Sequence, residues 1–161
     1  MPESQWPDSR EDILLYFAYT ARITPRLMVE AAPSASFEFI AHLSDFRLEF
    51  PIRGNGWEGA LPSATPNEGS TVWGAVYSLS DADRHVIDTV EAGEGRQPAQ
   101  LEVIDRTGHR HSVETHVAMA HREDSGEPSA AYVGIMLEGS RHWDLPAGWI
   151  AGLDEHLDPE F

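Results

Sequence analysis

Two acids three residues apart, Asp88 and Glu91 in the segment IDTVEAG, have the types and spacing best suited to proton transfer in this chain. On a helix that spacing turns both carboxyls to one side. Glu91 follows the apolar Val90 in what reads as the last helical turn, where burial and the negative end of the helix dipole both work against an ionised carboxyl. A carboxyl so placed suits general acid–base work. Against this, Glu91 is one of 27 Asp and Glu residues, most of which must lie on a solvated face, and residue type alone favours that plainer role.

Two other groups invite attention. His109, His111, Glu114 and His116 follow one another closely, but their spacing matches no compact zinc motif, and a solvated strand face tolerates histidine freely, so no metal site is expected. The stretch LLYFAYTARI, residues 14–23, begins apolar and aromatic and stops at Thr20, Ala21 and Arg22 with none of the usual turn residues. An end of that kind fits a binding loop, and Arg22 is a permanent cation able to clamp a carboxylate at two points. There is no G-x-S-x-G elbow, no P-loop and no G-x-G-x-x-G following a strand; GEGRQPAQ has glycines but follows a helix.

The elements that must position these residues are legible in outline. Residues 13–19 form a continuous apolar run, the mark of a strand buried on both faces. Thr24-Pro25 reads as the start of a short helix through Glu30. SFEFIAHLSDFRLEF, residues 36–50, alternates as two half-exposed strands or one long bent one. Residues 51–71 are rich in Gly, Pro, Asn and Ser and read as a long loop, a candidate lid. VWGAVYSL is a strand whose central Gly74 implies a bulge or a close backbone approach. Residues 80–91 form the clearest helix, capped by Ser80 and stopped by the glycines and proline that follow. Residues 99–106 and 110–120 form a hairpin about a Thr-Gly turn, and two helices separated by WDLP close the chain, with Tyr132, Ile135 and Met136 on one face of the first.

Strands thus dominate the first two thirds and helices the end, which defines an α+β class. Residues 1–12 read as a flexible polar tail and 13–161 as a single domain. With 27 Asp and Glu against 11 arginines and no lysine, the formal charge is −16, which repels nucleic acid. No run of eighteen apolar residues occurs, so no membrane span is expected. The absence of cysteine removes thiol chemistry and fits a reducing, cytoplasmic setting.

YFAYTARI, DFRLEF, WEGA, PNEGSTVWGAVYSLS, IDTVEAG and YVGIMLEGSRHWDLP, taken in order and spacing, resemble the gamma-glutamyl cyclotransferase-like family from about residue 14 to about residue 157. The resemblance implies a small mixed β-barrel with flanking helices and a ligand cavity at one mouth. It implies cleavage of a gamma-glutamyl amide by attack of the substrate's own α-amine, releasing 5-oxoproline and an amine or amino acid without a cofactor. By position it makes Glu91 the catalytic acid–base, places Tyr16, Phe17, Ala18, Tyr19, Thr20, Ala21 and Arg22 in the substrate-binding strand and loop, and makes Tyr132 a tyrosine that closes the pocket. The chain departs from the family's Tyr-Gly-Ser-Asn loop: Thr20 stands where a glycine is usual, Ala21 lacks a hydroxyl, and Arg22 replaces an amide. The family's tyrosine a few residues after the glutamate falls here at Pro98, with Arg96 nearby. The implied ligand is a small gamma-glutamyl compound or another carboxylate, and a catalytically silent carboxylate-binding protein on the same scaffold is the alternative. The sequence leaves open whether the chain acts alone or as a homodimer.

Overall fold

The structure is a computed structural model that describes residues 13–53, 59–119 and 126–156. The proposed tail, residues 1–12, lies outside the described residues. Five strands, β1 (Ile13–Ala18), β2 (Ser36–Ile52), β3 (Leu61–Ser80), β4 (Arg96–Asp105) and β5 (Arg110–Ala118), close a barrel in the order β1-β3-β2-β4-β5. All neighbours are antiparallel except β1 and β5, which meet in parallel at Tyr16 and Glu114. Four helices flank it: α1 (Pro25–Ala31), α2 (Asp81–Glu94), α3 (Ala130–His142) and α4 (Ala147–Asp154). The architecture is the mixed barrel with flanking helices that the resemblance implied.

The unbroken apolar run of β1 is explained by its two neighbourhoods. Phe17 and Tyr19 face the barrel interior with Val72, Val76, Val103 and Val113. Tyr16 and Ala18 face the other way, into a layer that includes Met28, Tyr77 and Ile87. A third apolar cluster joins Phe50 and Leu61 to Tyr132, Met136 and Leu153 beneath α3 and α4. Gly74 sits where a Cβ would fall 2.5 Å from the Ala18 carbonyl oxygen and 2.8 Å from the Phe17 ring, so the expected close backbone approach is present.

Residues 36–52 form one bent strand, with irregular register after Phe37, Ser44 and Glu49. The lid expectation for 51–71 is corrected. Residues 51–52 belong to β2 and 61–71 to β3, and of the remainder 54–58 lie outside the described residues. Leu61, Pro62, Ser63 and Ala64 are buried beside β2, so pairing and burial override a composition that reads as loop. The excursion at Asn67–Ser70 falls outside the register of β2 and β3, and there Asp45, at φ 66°, accepts from the Gly69 amide at 3.0 Å.

Helix α2 begins as expected, with the Ser80 hydroxyl oxygen accepting from the Asp83 amide at 3.1 Å. It runs three residues past Glu91 and ends on Gly95, whose φ of 103° reverses the chain into β4. Glu91 is therefore one turn from the end, and Arg96 returns beside it.

Candidate active site

Glu91 and Arg96 are 1% and 0% exposed, and the turn at Gly95 brings them together. Arg96 Nη1 donates to Glu91 Oε1 at 2.9 Å and to Glu94 Oε1 at 2.7 Å. Across the barrel wall β1 ends at Ala18, and Tyr19 and Thr20 lead into a single 3₁₀ turn, Ala21–Ile23, that carries Arg22 inward. Arg22 Nη1 donates to Glu91 Oε2, and its Nη2 donates to Glu94 Oε2 at 3.3 Å. Both oxygens of Glu91 are thus held by guanidiniums. The acid beside apolar Val90, expected from the sequence to be buried, lies in a largely buried cluster of two arginines and two glutamates. Burial works against the charge of each arginine, and the attraction of Glu91 and Glu94 outweighs it, so both pKa values lie above the ordinary arginine value.

Tyrosines line the same region. The Tyr132 hydroxyl accepts from the Ala21 amide at 3.2 Å, joining α3 to the loop after β1. Tyr19 donates to the His116 carbonyl at 2.7 Å and accepts from the Ala64 amide at 2.9 Å. Burial pushes the Tyr19 hydroxyl up to about 12 against the pull of the Arg96 charge. Burial first, and then the Glu91 charge, raises Tyr16 well above the ordinary value. The Tyr16 hydroxyl lies 2.8 Å from His116 Nδ1, and His116 Nε2 lies 2.7 Å from Asp88 Oδ1. A carboxylate accepting at Nε2 leaves Nδ1 of the neutral ring to accept from Tyr16.

The sequence-predicted residues therefore separate. Glu91, Arg22, Ala21, Tyr132, Tyr16 and Tyr19 are linked by hydrogen bonds or by mutual electrostatic influence around one cluster. Phe17 packs in the barrel interior and Ala18 in the layer beneath the helices. Thr20 is buried with φ −104°, so a residue other than glycine sits there without left-handed strain. The Thr24 hydroxyl does not cap α1; it donates to the Ile135 carbonyl at 2.8 Å. Asp88 and Glu91 share a helix but serve different partners. His111 pairs with Asp105 at 2.8 Å while His116 turns inward, so the histidines do not converge, and no group of three metal-ligating side chains occurs among the described residues.

Sequence reasoning undervalued Arg96, Glu94 and His116. The available signal was the order Glu91, Glu94, Gly95, Arg96: a glycine C-cap folds the next residue back on the helix's last acids. Arg96 also donates from Nε to the Pro62 carbonyl at 2.8 Å, while its Nη2 is buried without a hydrogen-bond partner among the described residues. An unmade bond of this kind to a charged group costs upward of about 1–3 kcal/mol.

A sequence profile of the AIG2-like family matches residues 71–153, from within β3 into α4, and the chain belongs to that family. Its fold is that of the gamma-glutamyl cyclotransferases: a solved structure titled gamma-glutamyl cyclotransferase superimposes with a TM-score of 0.81 at 25% identity, covering 89% of this chain and 87% of that one. Among curated proteins, human gamma-glutamylcyclotransferase is 27% identical over 143 residues, 84% of this chain and 74% of its own length. The bovine protein of the same name is 26% identical over 139 residues, 82% and 72% of the two chains.

Proposed function

We propose that the protein is a gamma-glutamyl cyclotransferase-type enzyme. The α-amine of a gamma-glutamyl amide attacks the γ-carbonyl carbon; the new C–N bond closes 5-oxoproline and the bond to the leaving amine breaks. Glu91 takes the proton given up by the α-ammonium and returns one to the departing nitrogen. In this reading Tyr16 and the loop Tyr19–Arg22 lie on one side of the substrate and Tyr132 on the other, so that amine and carbonyl are held in contact. The reaction needs only a small zwitterionic substrate, and a cysteine-free chain suits cytoplasmic work. The observation that carries the reading is a buried carboxylate, Glu91, fixed where the loop after β1 meets the end of α2, in a chain of this family.

The test is incubation with a panel of gamma-glutamyl amines and dipeptides scored for 5-oxoproline. Product is expected with at least one member, and Glu91→Gln should lower kcat by roughly a hundredfold or more. No product across the panel would refute the reading. One feature favours the alternative of a silent carboxylate-binding protein: both oxygens of Glu91 are already engaged. Tight calorimetric binding of a small carboxylate with no product on long incubation would establish that alternative.

A further inference from the structure

Two buried side-chain nitrogens are recorded without a hydrogen-bond partner among the described residues, His42 Nδ1 and Arg96 Nη2. His42 packs against Trp73 with ring centroids 4.8 Å apart and the planes tilted by 47°, and a neutral imidazole can leave its bare nitrogen without a hydrogen. Arg96 has no such freedom, because its guanidinium keeps every proton. The group is held at Nε by the Pro62 carbonyl and at Nη1 by Glu91 and Glu94, so the direction of Nη2 is fixed. Nη1 and Nη2 share one carbon, which places the unfilled donor next to the Glu91 carboxylate. Nearby, the Ala21 amide donates to the Tyr132 hydroxyl, and the terminal nitrogens of Arg22 donate to Glu91 and Glu94.

We propose that Arg96 Nη2 is the binding point for the α-carboxylate of the substrate. This rests on the reading in which Glu91 receives the α-ammonium. In an α-amino acid the ammonium and the carboxylate share one carbon, so an ammonium docked at Glu91 presents its carboxylate to the neighbouring Nη2. The ligand class is a gamma-glutamyl compound with a free α-amino acid end. A substrate whose α-carboxylate is masked as a carboxamide loses the charged acceptor and is discriminated against. Arg96 is then a specificity-determining residue, a role that its position outside the loop after β1 concealed.

The experiment compares gamma-glutamyl amides with their α-carboxamide counterparts in the wild type and in Arg96→Lys, which keeps a cation for Glu91 and Glu94 but has no Nη2. In the wild type KM should be about tenfold to a hundredfold lower for the free acid, the range expected of one charge-assisted hydrogen bond. Arg96→Lys should raise KM for the acid by a similar factor, so that the preference for acid over carboxamide shrinks toward one. A parallel calorimetric titration of the wild type with L-glutamate and with its α-amide requires neither turnover nor a variant, and decides the matter if Arg96→Lys does not fold. Equal KM for acid and carboxamide, equal binding of L-glutamate and its α-amide, or no binding of either without turnover, overturns the assignment. So does a loss in Arg96→Lys confined to kcat, which would mark Nη2 as a donor to the γ-carbonyl oxygen instead. L-glutamate bound in preference to its α-amide with no 5-oxoproline formed would retain the assignment and refute cyclisation. Turnover blind to the α-carboxylate would do the reverse.

Discussion

Replacing Glu91 by Gln preserves the shape of the side chain and removes one charge from a position 1% exposed. Arg22 and Arg96 are then left to share Glu94, which still touches both. The amide offers one acceptor oxygen where the carboxylate offered two, and its NH₂ must face a guanidinium. Breaking a buried ion pair from one side costs about 3–5 kcal/mol, and because Glu94 still neutralises one cation the lower end, about 3 kcal/mol, applies. In a chain of this length each 1 kcal/mol moves the midpoint by roughly 2–4 °C, so Tm should fall by about 6–12 °C. Differential scanning fluorimetry or calorimetry at neutral pH measures it. A cycle with Arg22→Met and the double variant isolates the pair: the double variant should be more stable than additivity allows by at least about 1 kcal/mol. A midpoint for Glu91→Gln within about 1 °C of the wild type, a shift far below the scale of a buried-pair loss, or strict additivity in the cycle, would refute the view that the cluster holds the loop to the barrel. The same magnitude dictates that activity of Glu91→Gln be assayed well below its midpoint, where lost chemistry is not confused with lost structure.

Gly74→Ala drives a Cβ to 2.5 Å from the Ala18 carbonyl, which cannot yield without parting β1 from β3; urea denaturation should show a loss of about 1–3 kcal/mol or more. Ser80→Ala removes the cap on α2 and should cost about 1 kcal/mol, seen as a lower midpoint with an unchanged urea slope. Tyr19 and Tyr77 are both pushed up by burial to about 12 from 10. The unfolded chain therefore ionises these hydroxyls first, so stability holds below pH 10 and falls between 10 and about 12, by up to a few kcal/mol for each tyrosine. Urea midpoints at pH 8, 10 and 11 check this; Tyr77→Phe should flatten the fall, and a midpoint that does not move above pH 10 would contradict it.

The elements that were plain in the sequence are those whose local pattern agrees with their tertiary role. The unbroken apolar run of β1, the Ser80 cap and the glycine in VWGAVYSL each carry one physical message, and the fold honours each. The segment 61–71 misleads because its prolines, Asn67 and Gly69 describe a chain without a neighbour, whereas β2 supplies one. The site was legible in part for a similar reason. Glu91, Arg22 and Tyr132 lie in recognisable motifs, but the pairing of Arg22 with Glu91 spans 69 residues and leaves no periodic trace. Arg96 lay in the glycine- and proline-bearing stretch read as the stop of the helix, and it is the left-handed Gly95 that turns it back under α2.

The single parallel pairing of Tyr16 with Glu114 has a consequence for how the molecule comes into being. Roughly one hundred residues separate the two edges that seal the barrel, a loop whose closure is entropically costly and late. Arg22 hangs from the first of those edges; Glu91, Arg96 and His116 belong to segments made long afterwards, and Tyr132 comes later still. A nascent chain leaving the ribosome therefore holds Arg22 apart from Glu91, Arg96 and Tyr132 until the last of these segments has been made, and the seam and the cluster are completed in the same late event.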